Sequence, residues 1–155
     1  MINARHLRDF VVRPTLRRIG MWSQAAENIL IGTIYQESRG GHYLHQLGNG
    51  PALGIYQIEP ATHNDVWDNY LHYRDALAKK VKNLAPLSDL DEQLIVNLSY
   101  ATAIARLIYY RIPKALPPAN DIYALAKYWK AHYNTEQGKG TVEEFVKNFP
   151  TELLG

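Results

Sequence analysis

The sequence predicts a mainly α-helical fold with at most a short β-hairpin between residues 40 and 58. Three observations carry this. Apolar residues recur at helical spacing, as in Leu94, Ile95, Leu98, Ala101, Ile104, Ala105 and Ile108. Helix-starting residues precede several such stretches, and glycine or proline follows them. The only candidates for strand lie between Gly40 and Ile58, where Gly40, Gly41, Gly48, Gly50, Pro51 and Gly54 read mostly as loop.

Taken in order, a first helix covers residues 3–19, broken or restarted at Pro14, with Leu7, Phe10, Val11, Leu16 and Ile19 as core contacts. Ser23 is the N-cap of a helix over residues 23–39 that Gly40-Gly41 ends. Pro60 fits the first position of a third helix, which carries Val66, Trp67, Tyr70 and Leu71 on one side and runs to about Val81. After a loop over residues 83–88, Ser88 with Asp91 resembles a capping box. The strongly apolar stretch that follows is expected to be the central buried helix, ending before Pro113. Pro113, Pro117 and Pro118 mark a linker, and Asn120 caps a helix through Ile122, Leu125, Ala126 and Trp129 to about Tyr133. Beyond a loop with Gly138 and Gly140, Thr141 and Glu144 form a capping box for a short helix ending near Phe149.

A length of 155 residues with 46% hydrophobic content predicts a single domain, residues 1–155, with a substantial core. The chain has no cysteine, which excludes disulfides and thiolate sites. No apolar run reaches membrane-spanning length, so no membrane insertion is expected. The first twenty residues hold five arginines against Asp9, and no continuous apolar stretch follows them before Trp22. That is not the pattern of a secretory signal peptide. If the target lies outside the cytoplasm, another route must deliver the protein. Net charge is +2, and the +4 of this segment leaves −2 for the rest. Such a segment could meet nucleic acid, anionic lipid or an anionic wall polymer. The favoured reading is a solvated helix packed on the domain, its arginines paired with acids elsewhere and with no nucleic-acid partner. Eleven tyrosines and three tryptophans outnumber three phenylalanines. Such half-polar rings suit the wall of a groove, and sugar rings stack on them.

Glu37 is the most informative residue. It stands four residues beyond Thr33 and seven beyond Leu30, on the face that Ala26 and Ile29 share. Burial there disfavours the anion, and so does the negative end of the helix. A carboxylic acid kept protonated near neutral pH is what protonation of a leaving sugar oxygen requires. The alternative is a surface glutamate at a frayed helix end. Glu59, Asp65 and Asp68 are the candidates for a second carboxylate, although negative charge at Glu59 also suits the start of the helix at Pro60. His42, His45, His63 and His72 lack acidic companions at a recognised ligand spacing, so no metal is expected.

Glu37-Ser38, a glycine-rich segment, then Gly54-x-x-Gln57-x-x-Pro60-x-Thr62 resembles the lytic transglycosylase domain of the soluble type, a layout that goose-type lysozymes largely share. Through Gln46-Leu47-Gly48, Gly50-Pro51-Ala52-Leu53-Gly54 and Pro60-Ala61-Thr62-His63 the likeness is closer to phage-encoded members. It covers roughly Ser23 to Phe149 and is strongest over residues 35–63.

The resemblance implies a lysozyme-like, two-lobed helical domain with Glu37 at the base of a groove. Glu37 matches the catalytic acid, and Ser38 the serine that shapes the floor beside it. Gln57 matches a glutamine that reaches polar groups of the substrate, with a loop-bracing side chain as its alternative. Tyr133-Asn134 resembles a Tyr-Asn pair whose tyrosine hydroxyl lies close to the catalytic carboxyl. Where the family has Leu-Met before the glutamine this chain has Ile55-Tyr56, and Tyr56 could offer a face to an N-acetyl group. The family's methionine before the proline is replaced by Glu59. The implied substrate is the peptidoglycan glycan strand, cut at the β-1,4 bond after N-acetylmuramic acid by a monomer without metal or organic cofactor. The alternatives are a muramidase that uses Glu59 or Asp65, and a non-catalytic phage structural or wall-binding module. The expected setting is synthesis in an infected bacterial cytoplasm, with action on the wall after release or from within a virion.

Overall fold

Helices dominate the computed structural model, which describes residues 1–86, 89–134 and 138–154. Asn3 starts the chain's first rod: its side chain accepts the N–H groups of Arg5 and His6 at 2.9 and 3.2 Å. Helix α1 (Ala4–His6), a π-helical turn (Leu7–Val12) and α2 (Arg13–Arg18) run on without a break. Pro14 therefore neither breaks nor restarts the helix. The turn before it widens instead, with the Arg13 N–H bonded to the Arg8 carbonyl, which gives the proline ring room against the preceding turn. The extra residue moves the inward face by one position. Val12 is buried beside Leu7, Leu16 and Ile19, Val11 is only half-buried, and Phe10, expected in the core, is 72% exposed. Two of the arginines find acids, Arg8 with Asp9 at 2.7 Å and Arg13 with the fully buried Glu27 at 2.6 Å.

Helix α3 (Gln24–Ser38) begins at Ser23, whose Oγ accepts the Ala26 N–H at 3.0 Å. Every residue from Ala26 to Tyr35 is buried. The helix is thus enclosed on all sides rather than along one face, and it shares the interior with the stretch expected to be buried, in which every residue from Tyr100 to Leu107 is buried. At Gly32 an added Cβ would stand 2.4 Å from the Phe145 ring, so the missing side chain is what lets α9 (Val142–Asn148) close over α3.

The single helix predicted to follow Ser88 and end before Pro113 divides into α6 (Leu90–Val96) and α7 (Leu98–Tyr110). Asn97 between them takes extended backbone. Its Oδ1 accepts the Tyr100 N–H, and its amide donates to the Leu84 carbonyl and to Gln93 Oε1. Asp89 caps α6 through the Glu92 N–H, whereas the predicted cap, Ser88, lies outside the described residues. The helix from Pro60 also stops early. It forms α4 (Pro60–Asn69), a 3-10 turn (Leu71–Tyr73) and α5 (Asp75–Lys82), and the bend at Tyr70 lets both Tyr70 and Leu71 enter the core. Asp121, not Asn120, caps α8 (Ile122–Trp129), and a second π-helical turn (Lys130–Asn134) continues it.

The Thr141–Glu144 capping box is present at α9, with the Glu144 N–H donating to Thr141 Oγ1 at 3.1 Å. Between residues 40 and 58 no strand forms among the described residues, only isolated antiparallel bridges of Leu53 with His45 and with Ile58. One hydrophobic core runs from Ala4 to Phe149, built around Trp129, Tyr56, Tyr100, Tyr109 and Phe145. Among the described residues no helix is long and apolar enough to cross a membrane.

Candidate active site

Helix α3 ends in three successive left-handed residues, Arg39, Gly40 and Gly41, with φ of 52°, 70° and 85°. This tight stop leaves Glu37 in the last turn, half-buried at a cleft of about 780 Å³. The cleft is lined by the loop through Tyr43, His45, Gln46 and Gln57 and the start of α4, together with Tyr133, Asn134 and the approach to α9. Burial pushes the Glu37 carboxyl up to about 7, and the nearby Lys130 cation acts weakly the other way. Among the described residues no group hydrogen-bonds that carboxyl. It is an acid held largely out of water, free to give its proton to whatever enters the cleft.

The other residues singled out from the sequence have more varied places. Ser38 is fully buried and does not line the cleft. Its Oγ donates to the Ile34 carbonyl at 3.0 Å and accepts the Gly41 N–H at 2.9 Å, which pins the helix end beneath Glu37. Tyr56 cannot offer a face to a ligand. Its side chain is wholly enclosed, with its hydroxyl 2.9 Å from Thr102 Oγ1 on α7. Gln57 lines the cleft at a positive φ of 50°, and its amide donates to the Gly54 carbonyl at 2.9 Å. It acts as the loop brace that the sequence left open. Asn134 lines the cleft and accepts from Lys130 Nζ at 2.7 Å.

Tyr133 reaches the cleft because the π turn swings it inward from α8, stacked on Tyr109 with ring centroids 5.1 Å apart. Its hydroxyl donates to the Tyr56 carbonyl at 2.6 Å rather than to Glu37. Burial, together with the negative charge of Glu37, holds its phenol well above 10. Tyr133→Phe is therefore expected to leave the pH dependence of Glu37 in place. The bared Tyr56 carbonyl should lower stability by about 1 kcal/mol. An upward move of the alkaline limb in a folded variant would instead place the hydroxyl on the carboxylate during turnover.

Of the three candidate second acids, only Glu59 lines the cleft. It occupies the N-cap position of α4, but its side chain makes no capping bond. Asp65 is bound to Asn69 and to Arg111, each at 2.6 Å, and these two partners hold its carboxyl below the usual range. Asp68 is exposed and does not line the cleft.

Sequence reasoning missed three features. Lys130 donates to Asn134 Oδ1, the Gly138 carbonyl and the Gly140 carbonyl, fastening together chain that lies on both sides of residues 135–137. Its spacing of four from Asn134 was the only available signal. Glu144 brings a further carboxylate to the cleft, although it was expected only as a capping residue. His63 is buried, with Nδ1 2.8 Å from Asp91 and Nε2 2.6 Å from the Tyr100 hydroxyl. Trp67 Nε1 donates to the same hydroxyl at 2.8 Å. Comparison of the chain with protein-family models, curated proteins and solved structures gives no match in any of the three.

Proposed function

We propose that the protein is a peptidoglycan lytic transglycosylase with a lysozyme-like, two-lobed fold, and that Glu37 serves as its acid and then its base. The observation that carries this reading is the Glu37 carboxyl, pushed up to about 7 by burial at the cleft and without a hydrogen-bond partner among the described residues. A group that titrates there is both a competent donor and a competent acceptor near neutral pH. The order and spacing of Glu37-Ser38 and Gly54-x-x-Gln57-x-x-Pro60-x-Thr62 support the same reading.

In the proposed reaction the Glu37 carboxylic acid protonates the oxygen of the β-1,4 bond after N-acetylmuramic acid, and the bond to the anomeric carbon breaks. The carboxylate so formed takes the proton of the muramoyl 6-hydroxyl, whose oxygen bonds to the anomeric carbon. The product is a 1,6-anhydro sugar, and Glu37 ends the cycle protonated. The substrate supplies the nucleophile, so one carboxyl suffices. The protein would work as a monomer on the wall after release from an infected bacterium or from a virion.

Mass spectrometry of the soluble products from purified peptidoglycan tests this. Anhydromuropeptides are expected. Reducing ends would make the enzyme a muramidase, a reading favoured by the position of Glu59 in the same cleft. No product at all would leave a wall-binding or structural role. Glu59→Gln separates the two enzymatic readings: activity within about threefold of wild type is expected, against the loss of 10²-fold or more that removal of a general acid or base brings.

A further inference from the structure

Arg39 stands where a glycine would be expected. It follows α3 in the left-handed conformation, with φ 52° and ψ 51°, and two glycines of the same hand come after it. For a non-glycine residue that conformation costs about 1 kcal/mol, so the side chain is held there by the surrounding fold. Arg39 lines the cleft, and its guanidinium carbon lies 5.7 Å from the centre of the Tyr43 ring. Arg8, Arg13 and Arg111 are each paired with a carboxylate. Arg39 has none among the described residues. Among the described residues Lys139 is a second cation lining the cleft without an acid partner, and Glu59 and Glu144 are two anions in the same position. Fixed charges that share a cleft without pairing remain available to a ligand that carries charges of its own.

We infer that Arg39 binds a carboxylate of an acidic amino-sugar glycan, and that the cleft therefore selects such a polymer over a neutral one. The inference rests on the proposed reading of the cleft as a glycan site. The planar fork of an arginine matches a carboxylate through two parallel hydrogen bonds, a geometry that a lysine does not reproduce. The Tyr43 ring lies within cation–π reach of the guanidinium. A polymer of N-acetylglucosamine offers no anion to this group. Glycan strands with muramic acid offer two sources, the lactyl carboxylate when it is free and the carboxylates of the attached peptide.

Calorimetric titration in the Glu37→Gln background, which prevents turnover, tests the inference with three probes. These are chitotetraose, an alternating N-acetylglucosamine–N-acetylmuramic acid tetrasaccharide with free lactyl groups, and the same tetrasaccharide bearing peptides. An acidic probe is expected to bind about tenfold more tightly than chitotetraose. Arg39→Gly should abolish that preference, and Arg39→Lys should recover only part of it. Glycine suits the backbone at this position, so Arg39→Gly should melt at or above its parent, which separates lost binding from lost folding. A preference shown by both acidic probes identifies the lactyl group, and one confined to the third probe identifies the peptide. Equal binding of all three probes, or a preference that survives Arg39→Gly, overturns the inference and leaves the glycan reading standing. Binding of none of them overturns both.

Discussion

Glu37→Gln should lower the rate of wall lysis by about 10²–10⁴-fold and still yield a folded protein. The amide keeps the shape of the carboxyl but has no acidic proton to give. Folding should not suffer, because the native carboxyl is itself under strain from burial. Its proton is held up to about 7 in the folded state against 4.5 for the free group. The folded protein thus binds this proton more tightly than the unfolded chain. As pH rises the unfolded chain releases it first, and stability falls across the window from 4.5 to about 7. The variant lacks this decline. It should melt like wild type at pH values below that window and at or above wild type beyond it. Rate against pH in the wild-type protein should fall on the alkaline side with an apparent value near 7. Activity of the variant within a few-fold of wild type would remove Glu37 from the mechanism.

Gly54→Ala should cost about 3 kcal/mol or more in unfolding free energy and abolish activity with it. Gly54 has φ +76°, and a Cβ there would lie 1.9 Å from the Leu94 carbonyl oxygen. That oxygen belongs to the backbone of α6, so no side chain can move aside. Gly48 provides the control. Its φ of +75° is nearly the same, but nothing stands within 4 Å of the added carbon. Gly48→Ala should therefore show only the conformational term, about 1 kcal/mol. Chemical unfolding of the two variants compares them directly. Equal losses would mean that the contact with Leu94 is not maintained in solution.

What was legible in the sequence was local. Ser23, Pro60 and the Thr141–Glu144 pair mark helix starts because a cap needs only its own turn. Gly40-Gly41 likewise fixes the end of α3, and with it the position of Glu37. The misread features depend on distant partners. The break at Asn97 is held by the Leu84 carbonyl and by the close approach of Gly54. Both π turns shift a face by one residue, which put Phe10 outside and gave Tyr133 a partner that no spacing could name. Tyr56 occupies a motif position beside Gln57, yet its depth is set by Thr102 on a helix more than forty residues later. Lys130 was missed because its bonds converge on backbone carbonyls of Gly138 and Gly140, which carry no side-chain signature.

The enclosure of α3 has a consequence for the order of synthesis. The helix is covered by the rod from Ala4 to Arg18, which leaves the ribosome before it, and by Phe145, which leaves long after it. The nascent chain must therefore carry this enclosed helix without one of its partners until Phe145 has been made. The same delay applies to the cleft, because Gly140 and Glu144, which line it, emerge long after Glu37. A chain that stops before Gly140 holds Glu37 but lacks this part of the cleft wall.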